Sequence, residues 1–413
     1  MDGILRAVLP ARLGRDFRLL LSASWTTNLG DGIALAAGPL LIASQTHDPR
    51  IVALAPIMQQ LPWLLFGLLV GAQADRTNRR RLMALANFAR AAVLFLLVVA
   101  IATGTVNIAV VLAALFLHGV AETYVDTTGS TLPPMLVDRE DLGIANARLN
   151  AGYITLNQLV GPPIGAGLFA LGVVFPFAAE LVLVVFGGLL IMRIVLPEHG
   201  QPRAERTHIR RDIAEGWRWL WHNPAVRTLA LIILVFNVTW GAAWSVLVLY
   251  ATQHLGMSAV GFGLLATAAA VGGLLSTAAY DWLERRYTLA TLMRVCLSLE
   301  MLVHLGLALT SVAWVALVIM VVFGAYAFVW ATVSRTVRQR AVPNELMGRL
   351  SSVYMVGVYA GLVVGSALGG VIAQRWGITA PFWFAFAGTA VTLTLIWRQI
   401  PQIAQAEAPP PAR

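Results

Sequence analysis

The chain has 413 residues, of which 58% are hydrophobic and only 12% are charged. Because so few charges cannot cover the surface of a water-soluble globule, the composition excludes an ordinary soluble enzyme and predicts an all-α protein that crosses the membrane many times. All 29 basic residues are arginine and the formal net charge is +9. Because these arginines stand in short loops between apolar segments, we interpret them as a topology signal, and we expect the lipid bilayer, not nucleic acid, as a partner.

Apolar segments of the length needed to cross a bilayer, about 20 residues, follow one another along the chain. None shows the strict alternation of a barrel strand, so each is predicted to be a helix. The twelve predicted spans are residues 17–43, 51–73, 82–103, 107–127, 146–171, 174–195, 225–251, 258–282, 288–309, 312–332, 349–374 and 379–398.

A long hydrophilic segment between the sixth and seventh spans divides the chain. We predict an N-terminal six-helix bundle over residues 1–196, a cytoplasmic linker over 197–224, and a C-terminal six-helix bundle with a short tail over 225–413. Inside the linker, Ile209 to Trp221 has an apolar and a basic face, which is typical of a helix at the membrane surface. An internal repeat with an offset of about 205 residues predicts that the two bundles are pseudo-symmetric.

The distribution of arginine also predicts the orientation. Alternating the loops between the two sides places Arg50 and Arg375 on one side and the other 27 arginines on the opposite side. The positive-inside rule then places both termini in the cytoplasm. The single cysteine, Cys296, lies in an apolar span, so neither an intramolecular disulfide nor a metal site built from thiolates is expected.

Ionisable residues inside spans are costly and therefore mark functional sites. Asp31 lies near the middle of the first span. His118, Glu122 and Asp126 follow at i, i+4 and i+8 in the fourth span, on one helical face. We predict that these four residues couple transport to protons. The alternatives are a structural hydrogen bond for Asp31, pairing of Glu122 with a polar neighbour, and an interfacial position for Asp126.

Two further groups of ionisable residues receive a plainer interpretation. Glu300 and His304 form an i, i+4 pair in the ninth span, where an internal hydrogen bond is expected. Glu180, near the outer end of the sixth span, is assigned no role.

Aromatic and amide side chains at helical spacing suggest the wall of a substrate cavity. Large rings with few polar groups suit flat, lipophilic and often cationic compounds, although such stripes also serve helix packing or anchoring at the interface. The candidates are Trp25, Asn28, Asn237, Trp240, Trp244, Phe323, Tyr326 and Trp330.

The segment at the cytoplasmic end of the second span reads Gly71-Ala72-Gln73-Ala74-Asp75-Arg76-Thr77-Asn78-Arg79-Arg80-Arg81. It resembles motif A of the major facilitator superfamily, G-x-x-x-D-R-x-G-R-R, with Asn78 at the second glycine position, where we expect it to keep a left-handed turn. The resemblance implies a cytoplasmic gate formed by Gly71, Asp75, Arg76, Arg79 and Arg80, in which Asp75 pairs with arginines and a helix N-terminus. The alternative is an arginine-rich loop that only sets topology.

The fifth span carries Gly161-Pro162-Pro163-Ile164-Gly165-Ala166. It resembles motif C, the G-P-x-x-G-G signature of exporters in the same superfamily, through Gly161, Pro162 and Gly165. Small residues allow close helix approach, so ordinary tight packing is the alternative. The resemblance favours efflux over uptake.

Over nearly its whole length the chain resembles the branch of this superfamily that holds bacterial siderophore exporters, macrolide efflux proteins and multidrug pumps. The resemblance implies the major facilitator fold, with twelve helices in two six-helix bundles, in a monomer of the bacterial inner membrane. It also implies proton-coupled export of lipophilic, cationic or amphipathic compounds by alternating access. The alternatives are a dedicated exporter of one metabolite such as a siderophore, a lysophospholipid flippase, and a transport-dead sensor.

The resemblance leaves one coupling residue without a counterpart, because Leu115 stands where related antiporters carry the motif B arginine. No cofactor is expected. The chain has no lysine, so no phosphate-binding G-x-x-x-x-G-K loop exists, and no catalytic motif is visible, so an enzyme is not expected.

Overall fold

The structure, a computed structural model, describes residues 11–74, 76–196 and 209–406, which are helical throughout apart from the connecting turns. We number the principal helices α1 to α12 in chain order. They are α1 (Gly14–Gln45), α2 (Pro49–Val52 and Leu54–Ala74), α3 (Arg79–Ala102), α4 (Ile108–Gly129), α5 (Leu142–Gly152, Tyr153–Val160 and Gly161–Leu171), α6 (Val174–Met192), α7 (Pro224–Ser245), α8 (Ala259–Arg286), α9 (Leu289–Leu309), α10 (Ala313–Ala341), α11 (Asn344–Trp376) and α12 (Ala380–Ile396).

Each predicted span overlaps one of these helices, and the predicted all-helical membrane fold is confirmed. Among the described residues, ten helices are long and apolar enough to cross a membrane. The remaining two are α12, with 17 residues, and α1, which is longer but carries Asn28 and Asp31. α10 continues to Ala341, well beyond the predicted end at residue 332, because its last turns are polar and hydropathy detects only the part of a helix that suits lipid.

The helices form two compact units. The first contains residues 11–45, 61–74, 76–196 and 259–267, and the second contains residues 46–60, 209–258 and 268–406. The beginning of α2 therefore belongs to the second unit, where the Cβ of an alanine at Gly370 of α11 would lie 2.8 Å from the Cβ of Ala53. The beginning of α8 belongs to the first unit, where the Thr267 hydroxyl donates to the Leu159 carbonyl at 3.0 Å.

The linker contains a helix, Ile209–His222, that packs on α11 in the second unit. Glu215 forms an ion pair with Arg349 at 2.6 Å, and Leu220 is buried. Trp217 and Trp221 stack on each other with half of their surface exposed. One face of the helix is thus held by the protein and the other presents indole rings, which suits the membrane interface. Residues 197–208 of the predicted linker lie outside the described residues.

Candidate functional site

Four ionisable side chains meet inside the first unit, and we call them the Arg90 cluster: Asp31 of α1, Arg90 of α3, His118 of α4 and Glu180 of α6. Arg90 has no exposed side-chain surface, and its Nη2 donates to Oδ1 of Asp31. Nε2 of His118 lies 2.8 Å from Oε1 of Glu180, and Nη2 of Arg90 lies 4.0 Å from the same oxygen. Each helix supplies one member, so the cluster ties together the centre of the unit.

The position of Arg90 corrects the prediction that all but two arginines lie in cytoplasmic loops. Arg90 is within α3, and Arg294 is within α9. A single arginine in a long apolar helix lowers the mean hydropathy too little to interrupt a predicted span. The interpretation of Glu180 as a residue without a role also needs correction, because Glu180 is only 1% exposed and contacts His118. Both Arg90 and Glu180 lie inside predicted spans, where an ionisable side chain is itself a signal of function. The sequence does not show that their partners come from other helices.

The pairing of Asp31 with Arg90 also changes the interpretation of Asp31, which was expected to be an unpaired buried acid. The cluster holds one permanent positive charge, on Arg90, against two carboxylates, on Asp31 and Glu180. One further proton, on His118 or on a carboxyl group, makes the cluster neutral. An uncompensated charge is costly in a buried membrane site, so the second carboxylate is the feature of the cluster that needs an explanation.

The motif B position holds Leu115 in place of the coupling arginine that related antiporters carry. Leu115 is indeed a buried apolar side chain of α4. The buried cation comes instead from α3, because Arg90 reaches Asp31 across the unit. The missing arginine of α4 therefore does not mean that the site lacks a positive charge.

The cluster also has to be considered as a metal site, which was not predicted. Ligand atoms of Asp31, His118 and Glu180 lie within 4.8 Å of one another, and carboxylate with imidazole is a common ligand set. However, the Arg90 guanidinium already donates to Asp31 and lies 4.0 Å from Glu180. A second cation in the same place would be repelled, so we assign no metal ion to these residues.

The other two acids of α4 are more open. Glu122 is half-buried and Asp126 is exposed. Within the described part of the chain, neither carboxylate forms a hydrogen bond or an ion pair. The predicted ladder on α4 therefore divides into His118, which is bonded to α6, and two carboxylates that are free to accept a cation or a proton.

Three of the predicted aromatic residues form a stacked group in the second unit, which we call the aromatic layer: Trp240 and Trp244 of α7 and Phe323 of α10. The ring centroids of Trp240 and Phe323 are 4.1 Å apart with an interplanar angle of 7°. Trp244 lies 4.9 Å from Trp240. All three rings are half-buried, so part of each ring remains available for contact.

Beside this layer lies a hydrogen-bonded group of Glu300, His304 and Tyr326. Nε2 of His304 lies 3.0 Å from Oε1 of Glu300, as the spacing predicted. The Tyr326 hydroxyl donates to Oε2 of Glu300, a bond that sequence reasoning missed because Tyr326 was assigned to the cavity wall. All three side chains are buried.

The remaining predicted cavity residues contact neighbouring helices or the backbone of their own helix. The Trp25 indole donates to the Arg148 carbonyl at 3.1 Å and packs against α5, which agrees with the packing alternative, and its place in the cavity wall stays a prediction. Asn28 and Asn237 donate to backbone carbonyls of their own helices at 2.7 Å. Trp330 meets Phe236 edge to face at 6.0 Å.

In motif A, Asp75 lies outside the described residues. Arg79 lies 3.1 Å from the Met135 sulfur, Arg80 donates to the Ile194 carbonyl at 2.9 Å, and Arg76 is exposed. Gly71 has open space, since the nearest atom to an added Cβ would be 3.9 Å away. Arg79 and Arg80 therefore hold the start of α3 against its neighbours.

Asn78 does not adopt the expected left-handed conformation. Its φ is −68° and ψ is 104°, and its side chain accepts a hydrogen bond from the Arg81 amide at 3.1 Å. Asn78 is the N-cap of α3, a role in which asparagine is favoured. Capping explains why asparagine fits at this position.

Motif C lies where α5 meets α1. The Cβ of an alanine at Gly165 would come within 2.2 Å of the Ile33 carbonyl oxygen, and at Gly161 within 2.5 Å of the Gly32 Cα. Only glycine allows the backbones to approach so closely. Before Gly161, residues Tyr153–Val160 form a π-helix, and Pro162 follows at the start of the next α-helix.

A bundle of apolar helices with buried charges at its centre is the architecture of a polytopic membrane transporter. The chain matches the family described as transmembrane secretion effector over residues 10–412, and it belongs to this family of the major facilitator superfamily. The family predicted from motifs A and C is thus confirmed.

Similar proteins agree with this assignment. The multidrug efflux pump Tap of Mycolicibacterium fortuitum is 28% identical over 378 residues, which cover 88% of this chain and 90% of that protein. The enterobactin exporter EntS of Shigella boydii is 25% identical over 373 residues, covering 85% of this chain and 84% of that protein. The chain is therefore a multi-pass efflux transporter, and its relatives are transporters and not enzymes.

Solved structures share the fold at low identity. A mutant of the nucleoside transporter NupG superposes with a TM-score of 0.75 and 13% identity, covering 93% of this chain and 99% of that one. A bacterial homologue of the iron transporter ferroportin, in an inward-facing state, superposes with a TM-score of 0.72 and 17% identity. The match covers 95% of this chain and 99% of that one. These likenesses extend to the fold alone.

Proposed function

We propose that this chain exports lipophilic, cationic or amphipathic small molecules from the bacterial cytoplasm in exchange for protons, by alternating access. The observation that carries the proposal is the charge imbalance of the Arg90 cluster, in which one proton compensates the second carboxylate. The resemblance to the multidrug efflux pump Tap supports the substrate class.

In this proposal the first unit handles protons. Asp31, His118 and Glu180 share one proton, and Arg90 is their fixed counter-charge. Glu122 and Asp126, one and two turns further along α4, pass the proton toward the cytoplasm. Arg76, Arg79 and Arg80 of motif A, with Asp75, control the cytoplasmic gate. Both termini lie in the cytoplasm, and the chain works as a monomer.

The second unit supplies the substrate surface. The aromatic layer offers half-buried rings on which a flat compound can stack. Stacking requires no particular hydrogen-bond pattern, so one surface accepts compounds of different shape. This property fits a pump with a broad substrate range.

The test is drug accumulation in an efflux-deficient bacterium that expresses the chain, measured for cationic dyes, macrolides and tetracyclines with and without a protonophore. We expect lower accumulation of several compounds, and we expect both the protonophore and Asp31→Asn to abolish the effect. Asp138→Asn, the same change at an exposed position, is the matched control and should pump normally. Normal pumping by Asp31→Asn would refute the assignment of the cluster.

A second candidate function is dedicated export of one siderophore, which the likeness to the enterobactin exporter EntS favours. The same assay separates the two functions. A dedicated exporter would leave the accumulation of every compound in the panel unchanged but would release one metabolite from producing cells.

A further inference from the structure

The Glu300–His304–Tyr326 group has no part in the proton pathway proposed above, yet it lies directly beside the substrate surface. Trp240 connects the two. Its ring stacks on Phe323, and its centroid is 6.2 Å from that of His304. Phe323 in turn meets Tyr326 edge to face at 5.6 Å. The aromatic layer therefore covers the group.

The group contains a carboxylate, on Glu300, that pairs with no arginine among the described residues. Among the described residues, His304 is the only ion-pair partner of Glu300. Arg294, on the same helix, lies over the Trp397 ring at 5.1 Å and is engaged there. Cys296, one turn before Glu300, is the other titratable side chain of α9 in this region, and it is buried. The helix α12 also packs on α9, and it has no titratable residue.

The charge of the Glu300–His304 pair can be offset in two ways. With His304 neutral and Glu300 ionised, the net charge is −1, which is costly in a buried site. One proton on the Glu300–His304 pair removes this charge. A substrate cation stacked on the aromatic layer also offsets it, since opposite charges attract strongly where water is excluded.

We propose that Glu300 gives the aromatic layer its preference for cations, and that a proton on the Glu300–His304 pair and a cation on the layer exclude each other. The proposal rests on the proposed function for its substrate class. It deepens that function by placing the competition between proton and substrate, which antiport requires, within the second unit.

The roles of the neighbours follow from their contacts. Tyr326 is a positioning residue, because its hydroxyl holds Glu300 but its ring carries no charge. Trp240 supplies cation–π attraction and also stacking, which acts on charged and uncharged rings alike. Loss of Glu300 should therefore affect charged compounds alone, whereas loss of Trp240 should affect charged and uncharged compounds.

The test measures equilibrium binding to the purified full-length chain in detergent, without any gradient. The probes are methyltriphenylphosphonium and triphenylphosphine oxide, which share three phenyl rings and differ in charge. We expect the wild type to bind the phosphonium about tenfold more tightly than the oxide, with a smaller preference at the lower of two pH values, because a proton on the pair removes the attraction.

Glu300→Gln should lose this preference at both pH values and bind the oxide as the wild type does. Tyr326→Phe, which keeps the ring and the carboxylate, should retain the preference. Equal weakening of both probes by Glu300→Gln, or an unchanged preference, would show that Glu300 is structural. A pH-independent phosphonium affinity in the wild type would overturn the proposal even if Glu300→Gln failed to fold.

Failure of the proposed function gives a different result. A wild type that binds the phosphonium selectively but moves no compound against a proton gradient would refute proton-driven export and leave the role of Glu300 standing. A wild type that binds neither probe would overturn the aromatic layer as a binding surface and the role of Glu300 with it.

Discussion

Replacing Arg90 by methionine tests the charge balance of the buried cluster most directly. The arginine side chain is fully buried and pairs with Asp31. Its Nη2 also lies 4.0 Å from Oε1 of Glu180. Removing one partner of a buried ion pair costs about 3–5 kcal/mol, because the remaining charge stays buried without compensation. We expect Arg90→Met to lower the free energy of unfolding by this amount at neutral pH.

A second substitution separates loss of charge balance from loss of packing. Asp31→Asn in the Arg90→Met background removes one of the uncompensated carboxylates, so the double variant should recover about 2 kcal/mol relative to Arg90→Met alone. Arg81→Met, at an exposed position of the same helix, should change stability by less than about 0.5 kcal/mol.

The assay is equilibrium unfolding in mixed micelles with increasing SDS, followed by circular dichroism. If Arg90→Met were as stable as the wild type, Arg90 would not be compensating buried carboxylates. If the double variant were less stable than Arg90→Met, the cost would come from packing, and the charge argument would be wrong.

Three further predictions concern other parts of the molecule. Gly165→Ala should lower thermal stability and transport rate, since its Cβ would lie 2.2 Å from a carbonyl oxygen of α1, whereas Gly167→Ala, with no atom within 4 Å, should behave as wild type. Trp240→Ala should weaken fluorescence-detected binding of charged and uncharged triphenyl compounds by about tenfold. The Arg50 side chain hydrogen-bonds to Asp48 and holds the pKa of Asp48 below its usual value. The pair therefore stabilises the fold at pH values above the usual pKa of Asp48, and this contribution is lost as the pH falls through the lowered pKa. Asp48→Ala should therefore destabilise the fold more at neutral pH than in strong acid in SDS unfolding, and an equal cost at both pH values would contradict this.

Hydropathy predicted the helices of the fold well because lipid imposes a single requirement on every span. The ends of helices outside the lipid obey no such requirement, so the continuation of α10 to Ala341 was missed. Motifs A and C indicated the family because their glycines and charges serve local geometry, such as the contact of Gly165 with α1. Local geometry is encoded over a few neighbouring residues and can be detected in a single sequence.

The candidate site was predicted only in part, for a physical reason. The acids of α1 and α4 stand out because a carboxylate in an apolar span is rare. Their partners come from α3 and α6, and the contact between Arg90 and Asp31 depends on how four helices pack. Helix faces in a membrane differ little in hydrophobicity, so periodicity does not show which face of α3 points inward.

The π-helix Tyr153–Val160 has a consequence for aligning this chain with its relatives. Hydrogen bonds in a π-helix span five residues instead of four, so the segment accommodates extra chain length without lengthening the helix in proportion. All side chains after it are rotated about the helix axis relative to an unbroken α-helix. A relative that lacks the π-helix should therefore align with a gap in the middle of α5, although gaps are usually confined to loops. An ungapped alignment would assign the residues after Val160 to the wrong face.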